Sequence, residues 1–324
     1  MRAKRQQSGF ALLIFLMILI GMGAFVVEGY MQNIAREVEA SKYSKNRQIL
    51  EVAKQSLLMF AYNYAEYNST GVGPGRLPCP DDDNDGLIGS SPSLLQCNAV
   101  GRLPWKDSRL SFHQAKDASG EVLWYAVSDQ FHNVGSGSDV INSDSKGTIT
   151  LVDQSGAIIY DGSVAGIAAV IIAPGAAINR DENNDGTYEY AQVRSTATQK
   201  NNPKNYLDTF NGFDNSAFVN LSAATADGFI LGPVKDQNSV VVNDQIIVVT
   251  ADEVIAMAEK AVLEYYGKAI TEYRANTGGV YPLLFNYATA SLESFNSGLT
   301  NIGRIPSIFS KYFTSEDSEP IDSK

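Results

Sequence analysis

The most prominent feature of the chain is an uncharged apolar run that leads into a long segment with helical spacing. Residues 10–27 carry no charged side chain, and residues 28–66 contain no proline. Apolar residues such as Ile49, Ala53, Leu57 and Phe60 recur at intervals that line one side of a helix. The pattern predicts one helix over residues 10–66, roughly 85 Å long at ~1.5 Å per residue.

The middle of the chain, from about residue 120 to residue 250, has the pattern of β-structure. The predicted strands cover residues 121–128, 148–152, 157–160, 164–173, 239–242 and 245–250. Residues 164–173 form a continuous apolar run, which is typical of a strand buried on both faces. The last two strands are predicted to form a hairpin around Asn243 and Asp244.

A second helix is predicted after these strands. Thr250 and Glu253 have the spacing of a capping box, and the helical pattern continues to about Asn276 before Gly278 and Gly279. We therefore expect a C-terminal helical subdomain over residues 250–324. A weak duplication is the alternative, because the first helix also ends at glycines followed by proline.

The N-terminus has the charge pattern of a membrane-inserted chain. Arg2, Lys4 and Arg5 precede the apolar run, so residues 1–9 are expected in the cytoplasm and the rest outside. Eighteen helical residues span about 27 Å, close to the ~30 Å hydrocarbon core of a bilayer. A secretory signal peptide cleaved near Gly23 or Ala24 and a plain uncleaved anchor remain alternatives.

Gly9 is followed directly by Phe10 and the apolar run, and this junction resembles the type IV pilin and type II secretion pseudopilin superfamily. Residues 77–81 (LPCPD) and 101–105 (GRLPW) resemble a subgroup of large pilin-like proteins. The resemblance implies an α+β fold in which a long N-terminal helix packs on an antiparallel sheet. It also implies that prepilin peptidase cuts between Gly9 and Phe10, that Phe10 is then methylated, and that the helix packs against other pilin or pseudopilin subunits.

These features divide the chain into four regions. Residues 1–9 are the leader, residues 10–27 the transmembrane or filament-core helix, and residues 28–249 a pilin-like periplasmic domain. Residues 250–324 are the helical subdomain or a second, partial pilin-like module. We expect a single-pass protein of the inner membrane whose folded part lies in the periplasm, and which reaches a filament or the cell surface after assembly.

The fifth residue after the predicted cleavage site departs from the family pattern. Major pilins carry a glutamate there, which pairs with the N-terminal amine of a neighbouring subunit, and this chain has Ile14. A carboxylate buried among apolar helices is costly unless it is paired. Members of the superfamily without this glutamate resemble a minor pseudopilin at the filament tip, so a tip position is expected.

Composition narrows the range of possible functions. The 324 residues include 25 Lys and Arg against 36 Asp and Glu, a formal net charge of −11. This balance argues against a nucleic-acid partner, since binding phosphates requires basic side chains. Hydrophobic residues make up 44% of the chain, which excludes a disordered protein.

The chemistry-bearing residues are few. Cys79 and Cys97 are the only cysteines, and an oxidising compartment predicts that they form a disulfide. His113 and His132 are the only histidines, and neither has a neighbouring nucleophile motif. A zinc site would need the two cysteines already assigned to the disulfide, at unsuitable spacing. We therefore expect no enzymatic activity.

Two acidic segments have the spacing of calcium loops. Asp81, Asp83 and Asp85 precede Gly86, and the alternation can turn three carboxylates inward. A weaker copy contains the possible ligands Asp181, Asn183, Asp185 and Glu189. The first loop is not an EF-hand, because Pro92 stands where the bidentate glutamate would be, and Ca²⁺ there would need further ligands from distant residues. The alternative is a solvated acidic turn for the first loop and ordinary hairpin-turn chemistry for the second.

The sequence therefore predicts a structural minor pilin or pseudopilin that assembles into a type IV pilus-like or type II secretion filament. A membrane-tethered or secreted calcium-dependent adhesin or binding module, outside any filament, is the alternative.

Overall fold

The computed structural model describes residues 7–67, 73–89, 97, 100–110, 115–132, 141–183, 185–218, 228–236, 239–279 and 281. The helices are α1 (Gln7–Tyr67), α2 (Ala197–Lys200) and α3 (Ala251–Asn276). The strands are β1 (Val100–Arg102), β2 (Trp124–Val127), β3 (Thr150–Val152), β4 (Ile158–Tyr160), β5 (Ile167–Ala173), β6 (Asn179–Arg180), β7 (Tyr190–Ala191), β8 (Thr209–Phe210), β9 (Phe213–Asp214), β10 (Gly228–Ile230), β11 (Val234–Asp236), β12 (Ser239–Val242) and β13 (Gln245–Thr250).

Helix α1 is a single unbroken helix of 61 residues, which confirms the predicted long N-terminal helix. Its C-terminal half lies on the sheet, where Ala53, Leu57 and Ala61 are fully buried. These positions are four residues apart, a spacing that lines one face of a helix. The apolar stripe seen in the sequence is therefore the surface that joins the helix to the rest of the protein.

The central sheet has four strands in the order β1-β2-β5-β13, and every neighbouring pair is antiparallel. All seven residues of β5 are buried, as the continuous apolar run predicted. Ala169 and Ile171 belong to the core shared with α1, whereas Val170 and Ile172 belong to a second core on the opposite face. The sheet is thus covered on both sides.

A second β-layer supplies that opposite cover. β10, β3 and β4 form a three-stranded sheet in which β10 runs parallel to β3, a departure from the expected antiparallel pairing. Leu151 and Phe229 from this layer pack into the core with Val170 and Ile172. The remaining described pairs, β6–β7, β8–β9 and β11–β12, are two-stranded ribbons.

The predicted hairpin around Asn243 and Asp244 is wrong. β12 pairs with β11, and β13 pairs with β5 in the central sheet. The Asp244 side chain is fully buried, and its Oδ2 accepts hydrogen bonds from the Asp208 backbone N–H and from Asn215 Nδ2, each at 2.8 Å. These long-range bonds hold the connection as a crossing between two sheets.

Helix α3 begins at the predicted capping box. Thr250 Oγ1 accepts from the Glu253 N–H at 3.3 Å, and Glu253 Oε2 accepts from the Thr250 N–H at 2.9 Å. The helix lies beside α1, to which it is joined by a Lys54–Glu253 ion pair. Val254 and Ile255 enter the same core as the buried face of α1. The boundary at residue 250 stays a prediction.

Replacing Leu57 with alanine tests whether the buried face of α1 holds the helix on the sheet. Leu57 is fully buried between helix and sheet, so Leu57→Ala should lower the free energy of unfolding by about 2–5 kcal/mol. Met59 is 47% exposed on the same helix, and Met59→Ala should cost less than about 0.5 kcal/mol. Urea unfolding of the full chain in detergent, followed by tryptophan fluorescence, measures both; equal losses would show that this contact is not what holds α1.

Candidate functional site

The N-terminal half of α1 has no intramolecular cover. Between residues 12 and 45 none of the described side chains is buried, and the first buried one is Asn46. Gly9 and Phe10 lie in the first turn of the helix, and their side-chain environment is outside the described residues. Ile14 is 44% exposed. About 51 Å of helix, at ~1.5 Å per residue, therefore extends away from the folded part.

This uncovered segment begins with the apolar run. Within the described residues, one helix is long and apolar enough to cross a membrane, and it is α1, in its N-terminal part. Exposed leucines and isoleucines in such number are unfavourable in water, which makes a lipid or protein environment the stable one. The structure thus supports a possible single membrane pass near the N-terminus.

The predicted disulfide is confirmed. Cys79 and Cys97 are bonded with their Cα atoms 5.3 Å apart, and both are buried at 6% exposure. The bond ties the LPCPD segment to the chain just before β1. It closes a loop of 18 residues, for which the chain-entropy estimate is roughly 3 kcal/mol of stabilisation.

The first acidic loop is brought together as its spacing suggested. One carboxylate oxygen each from Asp81, Asp83 and Asp85 lie within 4.8 Å of one another. Asp81 is buried, and its two oxygens accept from the backbone N–H groups of Asn84, at 2.7 Å, and Gly86, at 2.8 Å. Burial raises the pKa of Asp81, and these two hydrogen bonds offset part of that effect.

The second acidic loop repeats the arrangement. Asp181 Oδ2 accepts from the Gly186 N–H at 2.8 Å, and Gly186 has φ +87°, against +89° for Gly86. Carboxylate oxygens of Asp181, Asp185 and Glu189 lie within 4.8 Å of one another. Asn183 lies exposed in the same turn. In both loops the first aspartate therefore accepts a hydrogen bond from the backbone N–H of the glycine five residues later.

Both acidic loops contact the short segment that follows α2. Asn201 Nδ2 donates to the Asp83 carbonyl at 3.5 Å, and Lys204 pairs with Glu182 at 3.1 Å. Lys106 contacts the first loop directly, because its ammonium donates to the Asp85 carbonyl. Sequence reasoning missed Lys106; its place next to the GRLPW element was a weak signal. A positive charge here opposes cation binding.

His132 lies beside the disulfide, a proximity that its position in the sequence did not predict. It is fully buried, and a ring nitrogen is within 4.8 Å of the sulfur atoms of Cys79 and Cys97. A parallel bridge between Leu77 and His132 brings the two segments together. His113 is outside the described residues.

A buried carboxyl pair lies elsewhere, at the crossing between β12 and β13. Asp208 accepts from Gln192 Nε2 at 2.8 Å and from the Asn243 N–H at 2.7 Å. Burial raises the pKa of Asp208 to about 7, although Asn243 and Arg180 pull it down. Burial, and then the charge of Asp208, raise the pKa of Asp244 well above its usual range. These contacts tie loops together and give the pair a structural role.

Comparison with known proteins adds no family assignment. The chain matches no protein-family model, no curated protein and no solved structure. Its described features are those of an α+β protein with a long apolar N-terminal helix on antiparallel sheet.

The Asp208–Asp244 pair predicts that the protein loses stability as the pH rises. Their folded-state pKa values lie above the ~3.9 of an unfolded aspartate. The stability that the pair contributes is therefore fully present at low pH, where both carboxyls are neutral, and is lost as the pH rises through the folded-state pKa values. Each extra proton that the folded state holds makes the free energy of unfolding fall by about 1.4 kcal/mol for every unit of pH increase between roughly pH 4 and pH 7.

Asp244→Asn, which imitates the neutral acid, should flatten this slope between roughly pH 4 and pH 7, as measured by urea unfolding of the full chain. Glu272→Gln, which removes an exposed carboxylate on α3, is the control and should leave the slope unchanged. An unaltered slope in Asp244→Asn would mean that the pair is not the titrating group.

Proposed function

We propose that this protein is a minor pilin or pseudopilin, a structural subunit of a type IV pilus-like or type II secretion filament. The observation that carries the proposal is the division of α1 into two halves. The half beyond Asn46 is built into the folded domain, and the half before it has no buried side chain among the described residues. A filament subunit needs both halves, one to fold and one to pack against neighbours.

The physical requirements of such a helix agree with the residues at the N-terminus. The apolar segment is stable in the bilayer before assembly and against other apolar helices afterwards. Arg2, Lys4 and Arg5 would be costly inside a helical bundle. Cleavage between Gly9 and Phe10 by a prepilin peptidase removes all three charges. The folded domain would then stand in the periplasm.

Ile14 supports a position at the tip of the filament. A glutamate at this point would need the N-terminal amine of a preceding subunit to compensate its charge. An isoleucine makes no such demand. We infer that this subunit begins a filament and needs no subunit above it.

The two acidic loops favour a second candidate function, a calcium-dependent adhesin or binding module tethered to the membrane. In this role the folded domain alone would act, and α1 would serve only as an anchor. The two candidates differ in whether the N-terminal half of α1 touches other subunits.

Photo-crosslinking distinguishes the two candidates. A photoreactive residue at Leu16, 58% exposed in the apolar half of α1, should give adducts with other filament subunits in cells that contain the assembly machinery. Leu263 is the matched control, a leucine 72% exposed on α3. Leu16 adducts that persist without the machinery, or that do not exceed those from Leu263, would favour the tethered module.

We further propose that the first acidic loop binds Ca²⁺ and that the second does so more weakly. The clustered carboxylates of Asp81, Asp83 and Asp85 offer the hard oxygen ligands that this ion prefers. The hydrogen bonds from Asn84 and Gly86 hold the first ligand in place before the ion arrives. In either candidate function the ion would stiffen the loop beside the disulfide.

Calorimetric titration of the full chain in detergent with Ca²⁺ tests this proposal. Asp83→Asn should weaken binding about tenfold, because ligand charge sets the affinity of such loops. Lys106→Met should strengthen it about fivefold by removing the opposing charge. Asp153→Asn, in a distant turn, is the control. If none of these variants changes the heat released, the loop is a solvated turn.

A further inference from the structure

Three sulfur and nitrogen ligands meet inside the protein, away from the acidic loops. Cys79, Cys97 and His132 come from three separate segments, and their sulfur atoms and one imidazole nitrogen lie within 4.8 Å of one another. All three side chains are buried. Ligands at ~2.0–2.3 Å from one zinc ion are about 3–4 Å from each other, so small movements would complete such a set.

His132 is held as a metal-binding histidine is normally held. Its Nε2 lies 2.8 Å from Asp129 Oδ1, and its Nδ1 is buried with no hydrogen-bond partner among the described residues. Metal-binding histidines usually donate their second N–H to a carboxylate, which orients the ring and raises its basicity. The His132 carbonyl also accepts from Arg76 at 3.2 Å, which fixes the backbone there.

We propose that the reduced form of this protein binds one thiophilic metal ion, such as Zn²⁺, through Cys79 Sγ, Cys97 Sγ and His132 Nδ1. Two thiolates and one imidazole suit soft and borderline ions, and a fourth position stays open for a further ligand. Asp129 is a positioning residue, which acts through the imidazole.

The chemistry balances with a two-electron reductant. A phosphine takes one oxygen atom from water and becomes a phosphine oxide, and the disulfide gains two electrons and two protons to give two thiols. Binding of the ion then releases the two thiol protons to solvent. A bound ion and the disulfide exclude each other, because the same two sulfur atoms form either bond.

The bound ion would be a second cross-link between the segments that the disulfide joins. The ion would join Cys79 to Cys97, as the disulfide does, and would add His132 to the junction. The ion would hold the LPCPD segment of a newly translocated chain in place before oxidation. Thiol–disulfide exchange with an oxidised dithiol partner would then join the two sulfur atoms, reduce that partner to its dithiol and release the ion.

The test is titration of the phosphine-reduced full chain in detergent with Zn²⁺, and with Co²⁺ as a spectroscopic probe. We expect one ion per chain and a thiolate-to-cobalt charge-transfer band, both missing from the oxidised protein. Zn²⁺ should also raise the melting temperature of the reduced protein but not that of the oxidised protein.

His132→Gln is the matched variant, because the glutamine amide can keep the contact with Asp129 while the Nδ1 ligand is lost. Asp129→Asn should weaken Zn²⁺ binding about 10–100-fold, and His132→Gln should weaken it more. The melting temperature of each oxidised variant shows that it has folded.

Two results would overturn the proposal. One is equal Zn²⁺ affinity in the reduced wild type and reduced His132→Gln, which would indicate binding by two thiols alone. The other is a Co²⁺ spectrum without thiolate bands. Failure of either kind leaves the filament proposal untouched, since the two rest on different residues.

Discussion

The contact between the C-terminal half of α1 and the central sheet is the interaction on which the rest of the structure depends. The fully buried Leu57 shares one core with Ile171 on β5 and Val254 on α3. β5 also has to be covered on its other face, and the layer of β3, β4 and β10 does this. The order of layers therefore follows from two apolar surfaces, one on a helix and one on a strand.

Burial of α1 begins at Asn46, and the proposed function depends on the helix being uncovered before that residue. Among the described side chains from residue 12 to residue 45 none is buried, so the core contact does not continue further toward the N-terminus. The uncovered half remains available for lipid or for neighbouring helices. The same helix thus carries a folding surface in its C-terminal part and, in the proposed function, an assembly surface in its N-terminal part. The disulfide and α3 share the core of the folding surface.

The sequence could predict elements whose signal is local. The apolar run at residues 164–173 predicted the doubly buried β5, and the capping box at Thr250 predicted the start of α3. Prediction failed where distant residues decide the geometry. Asn243 and Asp244 look like a hairpin turn, yet Asp208 and Asn215 hold Asp244 in a crossing between sheets. His132 is 35 positions or more from either cysteine, so only the bridge to Leu77 reveals its place beside them.

The most direct test of the filament account is the mass of the N-terminal peptide of the membrane-extracted protein, with and without prepilin peptidase. The account predicts an N-terminus at methylated Phe10 that disappears when the peptidase is missing. An N-terminus near Ala24, or a chain that keeps residues 1–9 in the presence of the peptidase, would contradict it.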